Sequence, residues 1–251
     1  MSERLNALHS SARHLREVVS GLDVEQLTGP AYPSEWTIAD TMSHVGSGAV
    51  IMQHLFLQAL HGEDPVEGFA QSVWDSWNAK SPDRQVADAL AADQEFLDVL
   101  AATPDDQRGA LRVRFGQLEL DFDRFVGMRL GEHVVHTWDV EESVRPGTEL
   151  AVPAASLLLD QVHFIVGRSG VPTGEPRTIT VRTHEPARDF NVVVEASSVT
   201  LVDTVHSGPV DVEISAEAFV RLIYGRLDAQ AGVDDGAERH LEVLRQTFPG
   251  F

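Results

Sequence analysis

The sequence contains no cysteine, so disulfides, thiolate metal ligands and a protein thiol nucleophile are excluded together, and any sulfur chemistry must enter on a small molecule. Positive charge is scarce as well. Against 39 acidic side chains stand 19 basic ones, a formal net charge of -20 over 251 residues, and a single lysine, Lys80, is among them. A nucleic-acid partner needs a concentrated basic face to displace counterions from phosphates, so DNA and RNA are excluded as main partners. Long apolar runs are also missing: the most apolar stretches, such as Ala154 to Leu159, fall far short of the ~18–20 residues that cross a bilayer. No membrane span is expected. The first ten residues mix polar and apolar side chains with no apolar core of a secretory signal, which points to the cytoplasm. What is present, 43% hydrophobic and 23% charged residues, is the composition of a globular protein of one or two domains.

The pattern changes character near residue 150. Leu5, Leu8, Ala12, Leu15, Val18 and Val19 follow the three-and-four spacing of an amphipathic helix. After a turn-rich stretch with Pro30 and Pro33, Thr37-Ile-Ala-Asp40 has the form of a capping box and opens a second helix to about Leu60. The segment 62–81 reads as a long, partly packed loop. Ser81-Pro82-Asp83 starts a third helix that stops at Thr103-Pro104, and a fourth runs from about Asp121 to Glu142 after a short strand-like piece at 111–120. Four long helices predict an antiparallel bundle over 1–148. Beyond Arg145-Pro146-Gly147 one more apolar helix, about 153–166, precedes strand-like stretches at 178–183, 190–194, 199–202 and 210–214 and helices at 216–224 and 236–247. Residues 149–251 therefore read as a small α+β domain with a mainly antiparallel sheet, and the fold class as α+β in two domains.

The best candidates for chemistry lie on the fourth helix. Glu132 and His136 are four residues apart, ~40° around the helix and ~6 Å along it, so both can reach one metal ion from one face. Such pairs are also common on helices that bind nothing. A third ligand can come from His44, one turn into the second helix, if the two helices are neighbours. Two histidines and one carboxylate leave open coordination positions, as in catalytic zinc sites and non-haem iron centres. The ordinary reading of His44 is a satisfied, partly buried histidine, and that of Asp40 the capping acid. His133, ~100° from Glu132, is a neighbour of the pair and no ligand. Arg129 shares the stripe and can pair with Glu132 or serve the structure. Trp36, Trp74, Trp77 and Trp138 read as packing residues.

The segments Pro33-Ser-Glu-Trp36-Thr37-Ile-Ala-Asp40-Thr-Met-Ser-His44-Val45 and Glu132-His-Val-Val-His136-Thr-Trp138-Asp139 resemble the mycothiol-dependent maleylpyruvate isomerase family of the DinB-like superfamily. That resemblance covers nearly the whole chain. It implies a DinB-like metal-binding four-helix bundle followed by a sterol-carrier-like domain, with His44, Glu132 and His136 as ligands of a divalent metal, usually zinc. It further implies that Arg226, in Phe219-Val-Arg-Leu-Ile-Tyr224-Gly225-Arg226, reaches the active site from the second domain, although a cation near a helix C-terminus also suits the dipole. His133 stands where the family usually has an apolar residue. The implied function is an actinobacterial enzyme that activates mycothiol as a metal-bound thiolate for addition to an electrophilic small molecule, giving cis-trans isomerisation or thiol S-transfer. A metal-dependent hydrolase and a non-catalytic binding protein are the alternatives.

Overall fold

The computed structural model describes residues 2–32, 35–228 and 235–250; Pro33 and Ser34 of the quoted motif lie outside them. The chain divides into two compact units, Met1–Thr148 and Glu149–Phe251. Among the described residues no helix is long and apolar enough to cross a membrane.

The first unit is built on four long helices, α1 (Glu3–Val19), α3 (Ile38–His61), α5 (Pro82–Ala102) and α7 (Phe122–Val144), with short elements between them: α2 (Val24–Leu27), α4 (Phe69–Asn78), α6 (Asp105–Ala110) and the hairpin β1 (Val113–Phe115) and β2 (Leu118–Leu120). The buried positions of α1 are Leu5, Leu8, Ala12, Leu15, Val18 and Val19, the apolar stripe that the spacing predicts. Contacts fix the helix directions. Ser11 meets His133 and His14 meets Glu141, so α1 and α7 run parallel. Gly46 sits against Ala89 and Gln53 bonds Glu95, so α3 and α5 run parallel as well. His44 faces Glu132 while Phe56 faces Phe122, so α3 and α7 are antiparallel. Two helices thus run each way, in the order up, down, down, up.

A parallel pair of successive helices needs a connection that returns along the bundle, and α4 lies in it. The segment 62–81, expected as a loop, contains this ten-residue helix because Phe69, Val73 and Trp77 recur every four residues and form one apolar face, with Val73 and Trp77 buried. Flanking glycine and proline obscure so short a period in the sequence.

The second unit carries α8 (Val152–Leu159), α9 (Val162–Ser169), β3 (Arg177–His184), β4 (Arg188–Val194), β5 (Val199–Thr204), β6 (Val212–Ser215), α10 (Ala216–Ile223) and α11 (Asp235–Thr247). The one helix expected at 153–166 is two, interrupted at Asp160-Gln161, where the Asp160 carboxylate pairs with Arg188. The sheet order is β5-β4-β3-β6, antiparallel except for β3 with β6. Ile179, Val181, Phe190 and Val192 alternate inward with polar neighbours, and Phe219, Leu222, Leu241 and Leu244 of α10 and α11 complete the core.

Candidate metal centre

The start of α3 is set by local chemistry. Asp40 N–H donates to Thr37 Oγ1 at 3.0 Å and Thr37 N–H donates to Asp40 Oδ2 at 3.0 Å, a reciprocal capping box that gives Asp40 its role. From this fixed start, His44 falls on the flank of α3 that faces α7.

There it meets the two residues that the four-residue spacing pairs. His44 Nε2 lies 3.3 Å and His136 Nε2 3.6 Å from the same oxygen, Glu132 Oε2. One ligand atom from each of the three residues lies within 4.8 Å of the others. Donor atoms ~2.1 Å from a common ion in tetrahedral arrangement stand about 3.4 Å apart, so the donor set and its spacing fit a divalent cation. The Glu132 side chain is half exposed, and the site is therefore open to solvent on one side.

Support for the ligands comes from behind. His136 Nδ1 donates to Asp139 Oδ2 at 2.9 Å, and the Asp139 side chain is 1% exposed. This bond holds the ring with Nε2 directed at the cluster, the usual device for orienting a ligating histidine. Burial disfavours charge on His136, yet its hydrogen bonds to Asp139 and Glu132 outweigh burial and push its pKa up to about 9. Partial desolvation by the surrounding chain disfavours a charged Glu132 as well, but hydrogen bonds from His136 and His44 hold its carboxyl well below the usual carboxylate range. His136 must therefore release a proton before its Nε2 can bind a cation.

Trp36, read as a packing residue, is 43% exposed. Its ring centroid lies 5.2 Å from that of His44 and 6.3 Å from that of His136, so it forms one wall of the cluster. Trp74 is likewise exposed, whereas Trp77 is buried and Trp138 is buried with Nε1 donating to Thr148 O. Arg129 turns inward, away from Glu132, because three residues on a helix leave a ~60° offset, enough to carry it from the exposed flank into the core. His133 also faces the core and is fully buried. Asp139 is the supporting residue that sequence reasoning passed over, although its i,i+3 relation to His136 was visible there.

Arg226 belongs to the second unit. It is 5% exposed, and its Nη1 donates to Tyr224 O. The glycine before it is demanded by the backbone: Gly225 has φ +73°, and a Cβ there would lie 2.3 Å from Gly250 N.

Comparison with known proteins gives a consistent picture. Two uncharacterized proteins of Mycobacterium tuberculosis are each 26% identical over 159 residues, which is 63% of this chain and 77% of theirs. Among solved structures, the mycothiol-dependent maleylpyruvate isomerase superposes with TM-score 0.64 at 18% identity, covering 89% of this chain and 88% of that one. A histidine-to-alanine mutant of that enzyme matches with the same TM-score at 17% identity. At these identities the likeness is one of fold. A family model, the mycothiol maleylpyruvate isomerase N-terminal domain, matches residues 8–141, a span that includes His44, Glu132 and His136. With more than half of its length so matched, the chain belongs to the mycothiol maleylpyruvate isomerase N-terminal domain family.

Proposed function

We propose that the protein is a metal-dependent, mycothiol-using isomerase of the cytoplasm, acting on a small electrophilic acid of the maleylpyruvate type. The observation that carries this reading is the convergence of His44, Glu132 and His136 on one open position in a chain without cysteine. A divalent cation held by these three residues, zinc being the ordinary ion for such a set, supplies a Lewis acid that favours the thiolate form of a thiol at its open side.

The protein's own residues supply the rest. With a dication bound, His44 and His136 would serve as neutral imidazoles and Glu132 as a carboxylate, leaving one net positive charge that would favour an anionic partner. Asp139 keeps the Nδ1 proton of His136, so that Nε2 remains the ligating atom. Trp36 offers an apolar wall beside the ligand histidines. Arg226 is assigned to a carboxylate of substrate or thiol through charge-assisted hydrogen bonds. In the reaction the sulfur anion adds to one carbon of the conjugated double bond and the electron pair moves to the carbonyl oxygen. The carbon–carbon bond then rotates, and the sulfur leaves with the trans double bond restored. A sulfur that remained on the product would make the reaction S-transfer.

The test is metal content after dialysis without chelator, for the wild type and for His44→Ala and His136→Ala, followed by isomerisation of maleylpyruvate with and without added mycothiol. One zinc per wild-type chain, lost in both variants, together with activity that requires the thiol is the expected result. Activity on esters or amides with no thiol present would identify a hydrolase instead, and a wild type that takes up no metal would leave a non-catalytic binding protein.

A further inference from the structure

The interior of the first unit is divided into two halves of different chemistry. Towards one end it is aromatic: the ring of Phe125 lies 5.9 Å from that of Phe56 and 6.2 Å from that of Phe96. Beside the His44–Glu132–His136 cluster it holds buried polar groups drawn from all four long helices. Asp93 of α5, 4% exposed, accepts from Arg129 Nη2 at 2.8 Å and from His133 Nε2 at 3.1 Å. Arg129 Nη2 also donates to the backbone carbonyl of Val45 on α3 at 3.0 Å. On the far side, His133 Nδ1 lies 2.9 Å from Ser11 Oγ of α1 and 3.2 Å from Thr137 Oγ1.

Ionic groups in this position need a reason. Taking a guanidinium and a carboxylate out of water is costly, and well-packed apolar residues of the same volume commonly stabilise a core as much or more. Burial alone would raise the Asp93 pKa; the charges and hydrogen bonds of His133 and Arg129 hold it well below the usual carboxylate range, so the group is a carboxylate under ordinary conditions. What the pair supplies is register. One guanidinium nitrogen, Nη2, carries both bonds and so joins α5 and α3 from a residue on α7, while the planar group around it has few rotamers to explore. Its acceptor on α3 is the residue after His44, and its own position is three residues before Glu132. Space for it is tight: a Cβ at Gly48 would lie 3.2 Å from Arg129 Nη1.

We propose that Arg129, oriented by Asp93, is a positioning residue for the metal centre, locking α3 to α7 at the level where His44 and Glu132 converge. The inference rests on the metal-dependent reading above. Without the clamp the bundle keeps its aromatic half, but the ligand histidine on α3 is no longer held in register with the ligands on α7, so metal affinity falls out of proportion to stability.

The experiment titrates Co2+ into metal-stripped full-length protein against a chromophoric chelator, recording the visible cobalt spectrum and, separately, the Tm of the metal-free form. The variants are Arg129→Met, Arg129→Lys and Phe96→Leu. Arg129→Met is expected to weaken cobalt binding about 10–100-fold and to alter the cobalt spectrum. Arg129→Lys, which keeps the charge at the end of a shorter and more flexible stem, recovers Tm without recovering affinity, and it keeps the test alive should Arg129→Met not fold. Phe96→Leu, in the aromatic half, lowers Tm and leaves affinity and spectrum unchanged. Wild-type cobalt affinity in either Arg129 variant overturns the proposal, as does a loss in Phe96→Leu that matches its loss of stability. A wild type that binds no cobalt overturns the metal reading itself, and this inference falls with it.

Discussion

His136 is held from two directions, by Asp139 at Nδ1 and by Glu132 at Nε2, and its elevated pKa records both contacts. The protonated ring contributes stability to the metal-free fold that is fully present below the ordinary histidine value of 6.5 and is lost as pH rises through about 9. The Tm of chelator-treated protein should fall over that window, and in Asp139→Asn, where the charge behind the ring is gone, the fall should shrink and end at lower pH. A wild-type Tm that stays level across the window would remove the charged His136. Metal binding has the opposite dependence: a cation must displace this proton, so affinity rises with pH until about 9. Asp139→Asn should also bind metal about 10–100-fold more weakly, read by the same chelator competition. At this scale the sequence showed the four-residue spacing of Glu132 and His136 and the capping box that sets the phase of His44. Asp93 carries no such mark, because its importance depends on where α5 packs, and no local pattern encodes that.

The close approach of α3 to α5 depends on one small residue. A Cβ on Gly46 would lie 2.4 Å from the buried ring of Trp77 and 2.7 Å from Ala89 Cα. The Ala89 backbone cannot yield, so Gly46→Ala should lose about 1–3 kcal/mol to overpacking, more than the roughly 1 kcal/mol that alanine gains over glycine in a helix. Gly167 in α9 has open space where a methyl group would stand, with nothing within 4 Å, so Gly167→Ala should be neutral or stabilising by up to about 1 kcal/mol. Urea unfolding of both variants checks the pair; equal effects at the two sites would contradict the packing argument. The long helices were legible from their three-and-four periodicity and their caps, and the strands of the second unit from β-branched runs between turns. The shorter elements were not: α4 has only one apolar face ten residues long, and the break between α8 and α9 falls inside a continuous apolar pattern.

Across the whole molecule, the three candidate ligands all lie in the first unit and Arg226 in the second. Arg226→Ala should therefore leave metal content at the wild-type level while raising KM for thiol or substrate. Loss of the metal, or unchanged kinetics, would remove Arg226 from the proposed chemistry. The class of the protein is already legible in the linear chain: the absence of cysteine places any reactive sulfur on a small molecule, the excess of acid opposes a polyanion partner, and the change of period near residue 150 separates a helical part from an α+β part. These properties are sums or local repeats, and a linear string carries them completely. It took the packed molecule to establish that α3 and α5 run parallel, that Trp36 walls the ligand cluster while Trp77 fills the core, and that Arg129 binds Asp93 and Val45 in place of its helix neighbour Glu132. Each of these depends on which helices become neighbours and in which rotational phase, and that follows from packing all four apolar faces at once.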